Sequence, residues 1–515
     1  MYAVSKKSSI SGNFLVPGSK SQTIRAVFMA LLADGKTIIH NPLASSDGLS
    51  AFSAAQALGG KIEICQNPSQ TFNQNSSQNF SQNSNEIQNS KKINETKERK
   101  KGKCSEEGAA QENHYSMQTM QKNGNDWIVT GLGGKIKAPS KVIDTGNSGT
   151  TTSFVTGLCT LIDGFAVITG DQQICSRPVR SAVNAFNELG ANCFITRPDS
   201  DCPPIVVGGK MHGGVCHLPG INSQHVSAIL VPGALIPEGQ KIEIEVENPK
   251  ETSYIQMTID WMKKFGVSAV ASPDFKHYSV AGGQKYRAPV SQKNSAFASE
   301  ATAGCAGEVT VSSDWSGVAF PLVAAVCTQS EITITGLNFS DPQADKQIVD
   351  ILIKMGADIE KNTEQGFVKV HGGKPLTNDI QIDMNDIPDA LPALCVAACY
   401  SKGKTEFTTL SHIRQKESDR VAVMAEELTK CGSEVKIEND KMTILGGKTL
   451  HGAEIDSRGD HRVAMAMAVC GMFAEGEMKI SEAECADVSF PKFYEMFVSH
   501  GANFRLYEDS EKAQE

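Results

Sequence analysis

Short stretches of this sequence combine basic and hydroxyl side chains at points where an apolar helix is about to begin. Around residues 16–26, Lys20 and Arg25 flank a hydroxyl-rich turn, a composition suited to phosphate and carboxylate groups. A helix N-terminus adds unbonded N–H donors and the positive end of the helix dipole, and both favour an anion. Taken alone, this stretch fits a solvated helix cap equally well. The glycine and lysine spacing of a nucleotide-binding phosphate loop does not occur in it, which disfavours nucleotide hydrolysis.

A second stretch, residues 412–420, places cations and carboxylates close together. Lys416 and Arg420 are at positions i and i+4, a spacing that predicts a shared face if the helix has already begun. Glu417 and Asp419 could be acid–base groups or only ion-pair partners of these cations. The stretch therefore predicts an anion-binding or catalytic segment and leaves a structural role open.

Two further stretches carry candidate acid–base groups. Asp389 follows Pro388 and leads an apolar helix, where burial would raise the carboxyl pKa toward the range of a general base. A helix-capping aspartate is the alternative. In residues 459–467, we expect His461 to be structural. Several such stretches in one chain indicate an extended pocket for a polyanionic ligand.

The elements that position these stretches repeat along the chain. Each repeat has an apolar helix-length run that ends at a glycine before a strand-like run, as expected where a helix ends in a left-handed turn. The spacing is roughly 70 to 90 residues once one insert is discounted, which indicates a repeated folding unit. The chain therefore reads as six βαβαββ units. The closing glycines are Gly59, Gly190, Gly266, Gly356, Gly432 and Gly501.

Composition limits the class of protein. With 515 residues, 40% of them hydrophobic, the chain can bury large cores and is long enough for two or more domains. The net charge of −9 disfavours general binding to nucleic acid or to anionic membranes. No apolar run approaches the roughly 20 residues of a membrane span, and no secretory signal is evident. The 14 cysteines are scattered singly, so we expect a reduced, cytoplasmic protein without a metal site.

Residues 66–125 interrupt the repeat. A tract rich in Gln, Asn and Ser precedes a basic run at 97–103. Such a segment has few apolar groups with which to offset the entropy of ordering, so we expect a disordered insert. A nucleic-acid-binding patch is the alternative for the basic run.

The motifs occur in an order that resembles the 3-phosphoshikimate 1-carboxyvinyltransferase (5-enolpyruvylshikimate-3-phosphate, or EPSP, synthase) family, from about Val16 to Ala502. They are Pro17-Gly18-Ser19-Lys20-Ser21, Gly146-Asn147-Ser148-Gly149-Thr150, Ser176-Arg177-Pro178, Ser223-Gln224, Ile387-Pro388-Asp389-Ala390, Lys416-Glu417-Ser418-Asp419-Arg420 and Asp460-His461-Arg462. The resemblance implies a two-domain inside-out α/β barrel built from six βαβαββ units. One domain would comprise residues 1–18 and 314–515 and the other residues 19–313, with the 66–125 insert inside the second.

The resemblance also implies the activity. The enolpyruvyl group of phosphoenolpyruvate would be transferred to the 5-hydroxyl of shikimate 3-phosphate with release of phosphate, a step of chorismate and aromatic amino-acid biosynthesis. The reaction would proceed by addition and elimination through a tetrahedral intermediate, without a cofactor or a metal. The partners would be the two small-molecule substrates, with no nucleic acid and no membrane, and the protein would be a monomer.

Site residues follow from the same resemblance, motif by motif. The implied catalytic residues are Asp389 as proton acceptor, with Glu417 and Lys20 managing protons on the enolpyruvyl carbon. The implied shikimate-3-phosphate contacts are Lys20, Ser21, Arg25, Ser223, Gln224, Tyr254, Asp389, His412 and Lys416. The implied phosphoenolpyruvate contacts are Lys20, Gly149, Arg177, Gln224, Arg420 and Arg462, the last two as a clamp on its carboxylate.

Three positions depart from the family pattern. Ser153 stands where the family usually has Arg, Val488 where it usually has Lys, and Glu251 replaces a serine whose hydroxyl would contact shikimate 3-phosphate. Loss of two cations predicts a raised KM for phosphoenolpyruvate. These departures also keep open a non-catalytic homologue that binds a phosphorylated ligand. The sister UDP-N-acetylglucosamine enolpyruvyl transferase is a further alternative, although Lys20-Ser21-Gln22-Thr23 fits the shikimate pattern better.

Overall fold

The computed structural model describes residues 1–66, 125–289, 307–377 and 379–508. Its strands are β1 Tyr2–Lys6, β2 Gly12–Leu15, β3 Lys36–His40, β4 Lys61–Gln66, β5 Asn125–Thr130, β6 Ile143–Asp144, β7 Phe165–Thr169, β8 Asn192–Ile195, β9 Ile205–Gly208, β10 Gly214–Leu218, β11 Lys241–Val246, β12 Ala269–Ala271, β13 His277–Ala281, β14 Gly307–Thr310, β15 Ile332–Thr335, β16 Ile359–Asn362, β17 Phe367–Val370, β18 Ile380–Asp383, β19 Lys404–Thr408, β20 Glu434–Glu438, β21 Lys441–Leu445, β22 Glu454–Ile455, β23 Glu477–Ser481 and β24 Asn503–Tyr507. The α-helices are α1 Lys20–Leu32, α2 Ser46–Ala57, α3 Gly149–Leu158, α4 Arg180–Glu188, α5 Ser223–Gly233, α6 Thr252–Lys264, α7 Trp315–Cys327, α8 Gln347–Met355, α9 Leu391–Tyr400, α10 Arg420–Lys430, α11 His461–Gly471 and α12 Phe493–Ser499.

The strands of the described ranges form six sheets of four strands with one shared plan. In the β6-β7-β9-β8 sheet, β6 is parallel to β7, and β9 is antiparallel to both β7 and β8. A parallel pair needs a crossover connection, here made by α3 between β6 and β7. Helix α4 then connects β7 to β8. Because the other sheets repeat this plan, the prediction of six βαβαββ units is confirmed.

The six closing glycines adopt the conformation that their position requires. Each has a positive φ, from +78° at Gly266 to +112° at Gly356. An L-residue with a Cβ is strained in this region, whereas glycine enters it freely. The predicted glycine-terminated helices are therefore present at all six positions.

Three of the six sheets combine strands that are far apart in sequence, and in one of them β1 pairs with β23 and β24. The other two join strands from the first and the later part of the chain. Strand β2 pairs in parallel with β15, and β14 pairs in parallel with β3. The chain consequently passes twice between the same two regions, near residues 16–19 and again near residues 311–314. The two passages lie side by side, because Ser19 N donates to Ser312 O at 2.8 Å and Asp314 N donates to Pro17 O at 2.9 Å.

Two hydrophobic cores lie on either side of these passages. Core I contains buried residues between Ile24 and Val311, and core II contains those from Ala3 to Val16 and from Trp315 to Phe504. Apolar burial is the main driving force for folding, so each core can stabilise its own set of three sheets. The division into domains of residues 1–18 with 314–515 and of residues 19–313 stays a prediction, and these two cores support it.

One local prediction is corrected by the structure. Lys416 does not share a helix face with Arg420, because residues 411–415 form a short 3₁₀ turn, Lys416 is extended, and α10 begins only at Arg420. The predicted insert of residues 66–125 lies outside the described residues except for its two end residues. These end residues, Gln66 and Asn125, pair with each other at the ends of β4 and β5. In the described ranges, no helix is long and apolar enough to cross a bilayer.

Candidate active site

The helix N-termini predicted to hold anions converge on one cleft between core I and core II. Helices α1, α3, α4, α5 and α6 contribute residues to the cleft from core I. On the core II side, α10 and α11 begin behind the wall of the cleft, where Arg420 and Arg462 contact Asp389. At α5 and α11, the Asn222 and Asp460 side chains cap the first turn by accepting from Gln224 N and Arg462 N. The remaining N–H groups and the dipoles of these helices add a positive field to the cleft.

A cavity of about 430 Å³ occupies the cleft. Most of the predicted site residues line it: Lys20, Ser21, Arg25, Arg177, Ser223, Gln224, Tyr254, Asp389, His412, Lys416 and Glu417. The other three, Gly149, Arg420 and Arg462, lie directly behind this lining. A Cβ at Gly149 would stand 2.9 Å from Arg177 Nη1, and Arg420 and Arg462 contact Asp389. The structure therefore brings together residues from motifs spread over most of the chain.

Asp389 is held by two guanidinium groups at the wall of the cavity. Arg420 Nη1 lies 2.7 Å from Oδ1, and Arg462 Nη2 lies 3.0 Å from Oδ2. Both arginines are almost fully buried, while the Asp389 side chain keeps 17% of its surface exposed. One carboxylate thus faces the cavity with two cations directly behind it.

This arrangement corrects the expected pKa of Asp389. Burial acts to raise that pKa, as the sequence predicts, but the positive charges of Arg462, Lys416 and Arg420 outweigh it. The pKa of Asp389 is consequently held well below its ordinary value, and the carboxylate is ionised in this state. The sequence could not predict this outcome, because the cations come from other helices.

Glu417 lies at the centre of a second set of ion pairs. Its Oε2 accepts from Arg420 Nη2 at 2.5 Å, and its Oε1 lies 3.4 Å from Arg177 Nη2 across the cleft. Burial acts to raise the pKa of Glu417, and the neighbouring Arg420, Arg177 and Lys20 lower it well below its ordinary value. Asp460 completes the set by accepting from Arg420 Nε at 2.8 Å.

Several buried polar atoms at the cleft have no partner within the described residues. They include Arg177 Nε, Arg462 Nε, His225 Nε2 and both ring nitrogens of His412 and of His461. A buried donor without a partner costs free energy, so these atoms are well placed to bind a polar ligand. Burial lowers the pKa of His412 to about 4 and that of His461 well below its ordinary value, which keeps both imidazoles neutral. The expectation that His461 is only structural remains untested.

Two carboxylates that lie outside the predicted motifs contact predicted site residues. Asp47 Oδ2 lies 3.0 Å from Lys20 Nζ, and Asp345 Oδ2 accepts from Tyr254 Oη at 3.1 Å. Asp345 is buried, and burial together with the negative charge of Asp389 raises its pKa to about 7. Their only sequence signal is an acidic residue just before or within a helix start, which many helix caps share.

The three departures from the family pattern differ in their surroundings. The Ser153 hydroxyl points toward Gln224 Oε1 at 3.5 Å, behind the cavity wall. Val488 lies at the end of a short 3₁₀ turn, Ala483–Val488, and does not line the cavity. Glu251 lines the cavity, and its carboxylate pairs with Lys416. In the described ranges, no group of three or more His, Cys, Asp or Glu side chains could hold a metal ion.

Comparisons with known proteins identify the family of this chain. The family model of EPSP synthase (3-phosphoshikimate 1-carboxyvinyltransferase) matches residues 4–92 and 114–497. The chain therefore belongs to the EPSP synthase family. It is similar to the 3-phosphoshikimate 1-carboxyvinyltransferases of Acetivibrio thermocellus, at 35% identity over 98% of this chain and 99% of that protein, and of Ruminiclostridium cellulolyticum, at 33% identity over 98% and 100%.

A solved structure shows the same fold over the whole chain. The EPSP synthase of Acinetobacter baumannii superposes with a TM-score of 0.71 at 23% identity, covering 99% of this chain and 100% of that one. As a member of the EPSP synthase family, the chain is a transferase of the shikimate pathway. It transfers the enolpyruvyl group of phosphoenolpyruvate to shikimate 3-phosphate, as the motif order predicts.

Proposed function

We propose that the transfer takes place in the 430 Å³ cavity, with Asp389 as the base that accepts the proton of the 5-hydroxyl of shikimate 3-phosphate. The observation that carries this proposal is the contact of Asp389 with both Arg420 and Arg462. It joins a base and a pair of carboxylate-binding groups at one point of the cavity wall. A planar guanidinium is well suited to hold a carboxylate through two parallel hydrogen bonds.

Phosphoenolpyruvate binding would activate this base. When Arg420 and Arg462 turn part of their hydrogen bonding to the substrate carboxylate, Asp389 loses part of the positive charge that stabilises its ionised form. The carboxylate then becomes a stronger base at the moment when both substrates are present. The free donor Nε of Arg462 can bind the substrate before the contact with Asp389 is weakened.

The addition step joins the 5-hydroxyl oxygen to C2 of phosphoenolpyruvate while C3 gains a proton. Lys20 and Glu417 are the proposed donors and acceptors at C3. Both lie at the cavity, and the charge of Lys20 acts on Glu417. In the elimination step, C3 loses a proton and the C2–O bond to phosphate breaks. Arg177, Gln224 and Gly149 form the proposed phosphoenolpyruvate side.

The acceptor substrate would lie on the other side of the cavity. We assign Ser21, Arg25, Ser223, Tyr254, His412 and Lys416 to shikimate 3-phosphate, together with Lys20, Gln224 and Asp389 at the junction of the two substrates. The unpartnered imidazole of His412 supports this assignment, because a neutral ring can donate to or accept from a hydroxyl of the ligand.

Closure of the cleft would align the substrates and exclude water. Arg177 and Glu417 face each other across it, and Gln173 Nε2 donates to Arg458 O at 3.3 Å. Substrates can enter only if such contacts open, so we expect small-angle scattering to detect compaction when both ligands bind. Unchanged dimensions would contradict this step. A monomer suffices for the proposal, since one chain lines the whole cavity, and cytoplasmic location stays a prediction.

The assignment of the two sides is tested by two variants with opposite expectations. Arg462→Lys keeps the charge but loses the planar donor pair, so we expect the phosphoenolpyruvate KM to rise about tenfold or more. His412→Ala should instead raise the KM for shikimate 3-phosphate. Arg458→Lys, at an exposed arginine of the same segment, is the matched control. An equal rise of both KM values in both variants would contradict the assignment.

A further inference from the structure

A carboxylate of the chain itself occupies part of the proposed acceptor site. Glu251 is only 4% exposed, although glutamate is rarely buried, and it lines the cavity. Its Oε2 accepts from Ser223 Oγ at 2.9 Å, and its Oε1 pairs with Lys416 Nζ. These donors are the ones that an anionic group of the acceptor substrate would use. The Glu251 carboxylate therefore stands where a ligand anion would bind.

The backbone at Glu251 is held in an unfavourable conformation by the opposite side of the cleft. Its φ of +53° lies in the left-handed region, which residues with a Cβ rarely adopt. Glu251 N donates to Asn385 O at 3.2 Å, and Thr252 N and Oγ1 both lie 3.1 Å from Asp386 Oδ1. Glu251 and Thr252 belong to the core I side, whereas Asn385, Asp386 and Lys416 belong to the core II side. These contacts join the two sides of the cleft, so opening of the cleft would break them.

We propose that Glu251 acts as an internal anion that favours closure of the empty cleft and competes with shikimate 3-phosphate for Lys416 and Ser223. The proposal rests on the assignment of those two residues to the acceptor substrate under the proposed function. A phosphate group carries a charge of about −1.5 to −2 near neutral pH, so it repels a carboxylate at the same donors in a buried cleft. Substrate binding therefore has to displace the Glu251 side chain.

The test is the variant Glu251→Gln, which removes the charge and keeps the shape. We expect the Kd for shikimate 3-phosphate, measured by calorimetry without phosphoenolpyruvate, to fall about tenfold or more, the size of one charged contact. Glu251→Ser, which introduces a smaller uncharged side chain, should also lower this Kd. Glu247→Gln removes one charge from an exposed position of the same loop and serves as the matched control. In scattering without ligand, Glu251→Gln should be more expanded than the wild type.

Each outcome decides between the two proposals. An unchanged or increased Kd in both Glu251 variants, with normal binding by the wild type, would overturn the role of Glu251 and leave the proposed function intact. A similar fall of Kd in Glu247→Gln would also overturn it, because general charge would then explain the effect. If neither the wild type nor any variant binds shikimate 3-phosphate, the assignment of the acceptor site fails as well.

Discussion

The contact of Gly149 with Arg177 gives a prediction that separates substrate binding from folding. A Cβ at position 149 would lie 2.9 Å from Arg177 Nη1 and 3.4 Å from Gln224 Oε1. Nonbonded atoms prefer roughly 3.5 Å or more, so the guanidinium has to retreat by about half an ångström. Arg177 is a flexible side chain whose Nη2 contacts Asn147 Oδ1 at 3.3 Å and Glu417 Oε1 at 3.4 Å. Gly149→Ala should therefore weaken these contacts without unfolding the protein.

The expected change in the phosphoenolpyruvate KM follows from the contacts of Arg177 that Gly149→Ala disturbs. A hydrogen bond to a charged group contributes about 1.5–3 kcal/mol, and a partial loss near 1.4 kcal/mol corresponds to about tenfold in affinity. We expect Gly149→Ala to raise the phosphoenolpyruvate KM about tenfold, with a smaller change in the KM for shikimate 3-phosphate. The assay is steady-state phosphate release with each substrate varied in turn, accompanied by thermal unfolding.

Two controls make this prediction refutable. Gly214→Ala adds a methyl group at an ordinary distance of 3.6 Å from Leu189 Cδ2, so both KM values should stay unchanged. In the Arg177→Ala background, Gly149→Ala should have little further effect, because the group that it displaces is gone. A full additional tenfold effect in that background would refute the reasoning, as would a loss of stability without a change in KM.

Three further predictions concern the groups around this site. Asp460→Asn keeps the helix cap but removes the charge that holds Arg420 Nε, so kcat/KM for phosphoenolpyruvate should fall roughly tenfold or more. An unchanged kcat/KM would mean that Asp460 does not position Arg420. Arg420→Met leaves three carboxylates without their shared cation and should lower the free energy of unfolding by about 3–5 kcal/mol in denaturant titrations. A loss under about 1 kcal/mol would show that the three carboxylates do not need this cation for stability. The pKa of Asp345 is raised to about 7, so its stabilising contribution is present below its ordinary pKa and is lost as pH rises through 7. The Tm of Asp345→Asn minus the Tm of the wild type should therefore increase from pH 5 to pH 8. If this Tm difference stays constant over that range, the raised pKa is contradicted.

The repeat architecture could be predicted because its signals are local. The glycines at positions such as 190 and 356 end helices through their own backbone freedom, so the sequence marks each unit without knowledge of the neighbours. The gathering of Lys20, Arg177 and Arg462 around one cavity was predicted from motif order. That inference depended on the resemblance of the motif order to the EPSP synthase family, because no local signal places residues so distant in sequence beside one another.

The electrostatics of the site could not be predicted in the same way. Burial of Asp389 was expected to raise its pKa, but two arginines from other helices reverse the direction. From the sequence, Glu251 was expected only to remove a serine hydroxyl that would contact shikimate 3-phosphate. The structure shows instead that its carboxylate pairs with Lys416 inside the cavity. Both outcomes depend on which charges the fold brings within a few ångströms, and this distance is a property of tertiary packing.

The central claim is that this site transfers the enolpyruvyl group with Asp389 as base. Phosphate release from phosphoenolpyruvate, measured with and without shikimate 3-phosphate, tests it most directly, with Asp389→Ala as the comparison. We predict release that requires both substrates and that falls by a factor of about 100 or more in the variant. Binding of shikimate 3-phosphate without any phosphate release, or release that Asp389→Ala leaves unchanged, would contradict the claim.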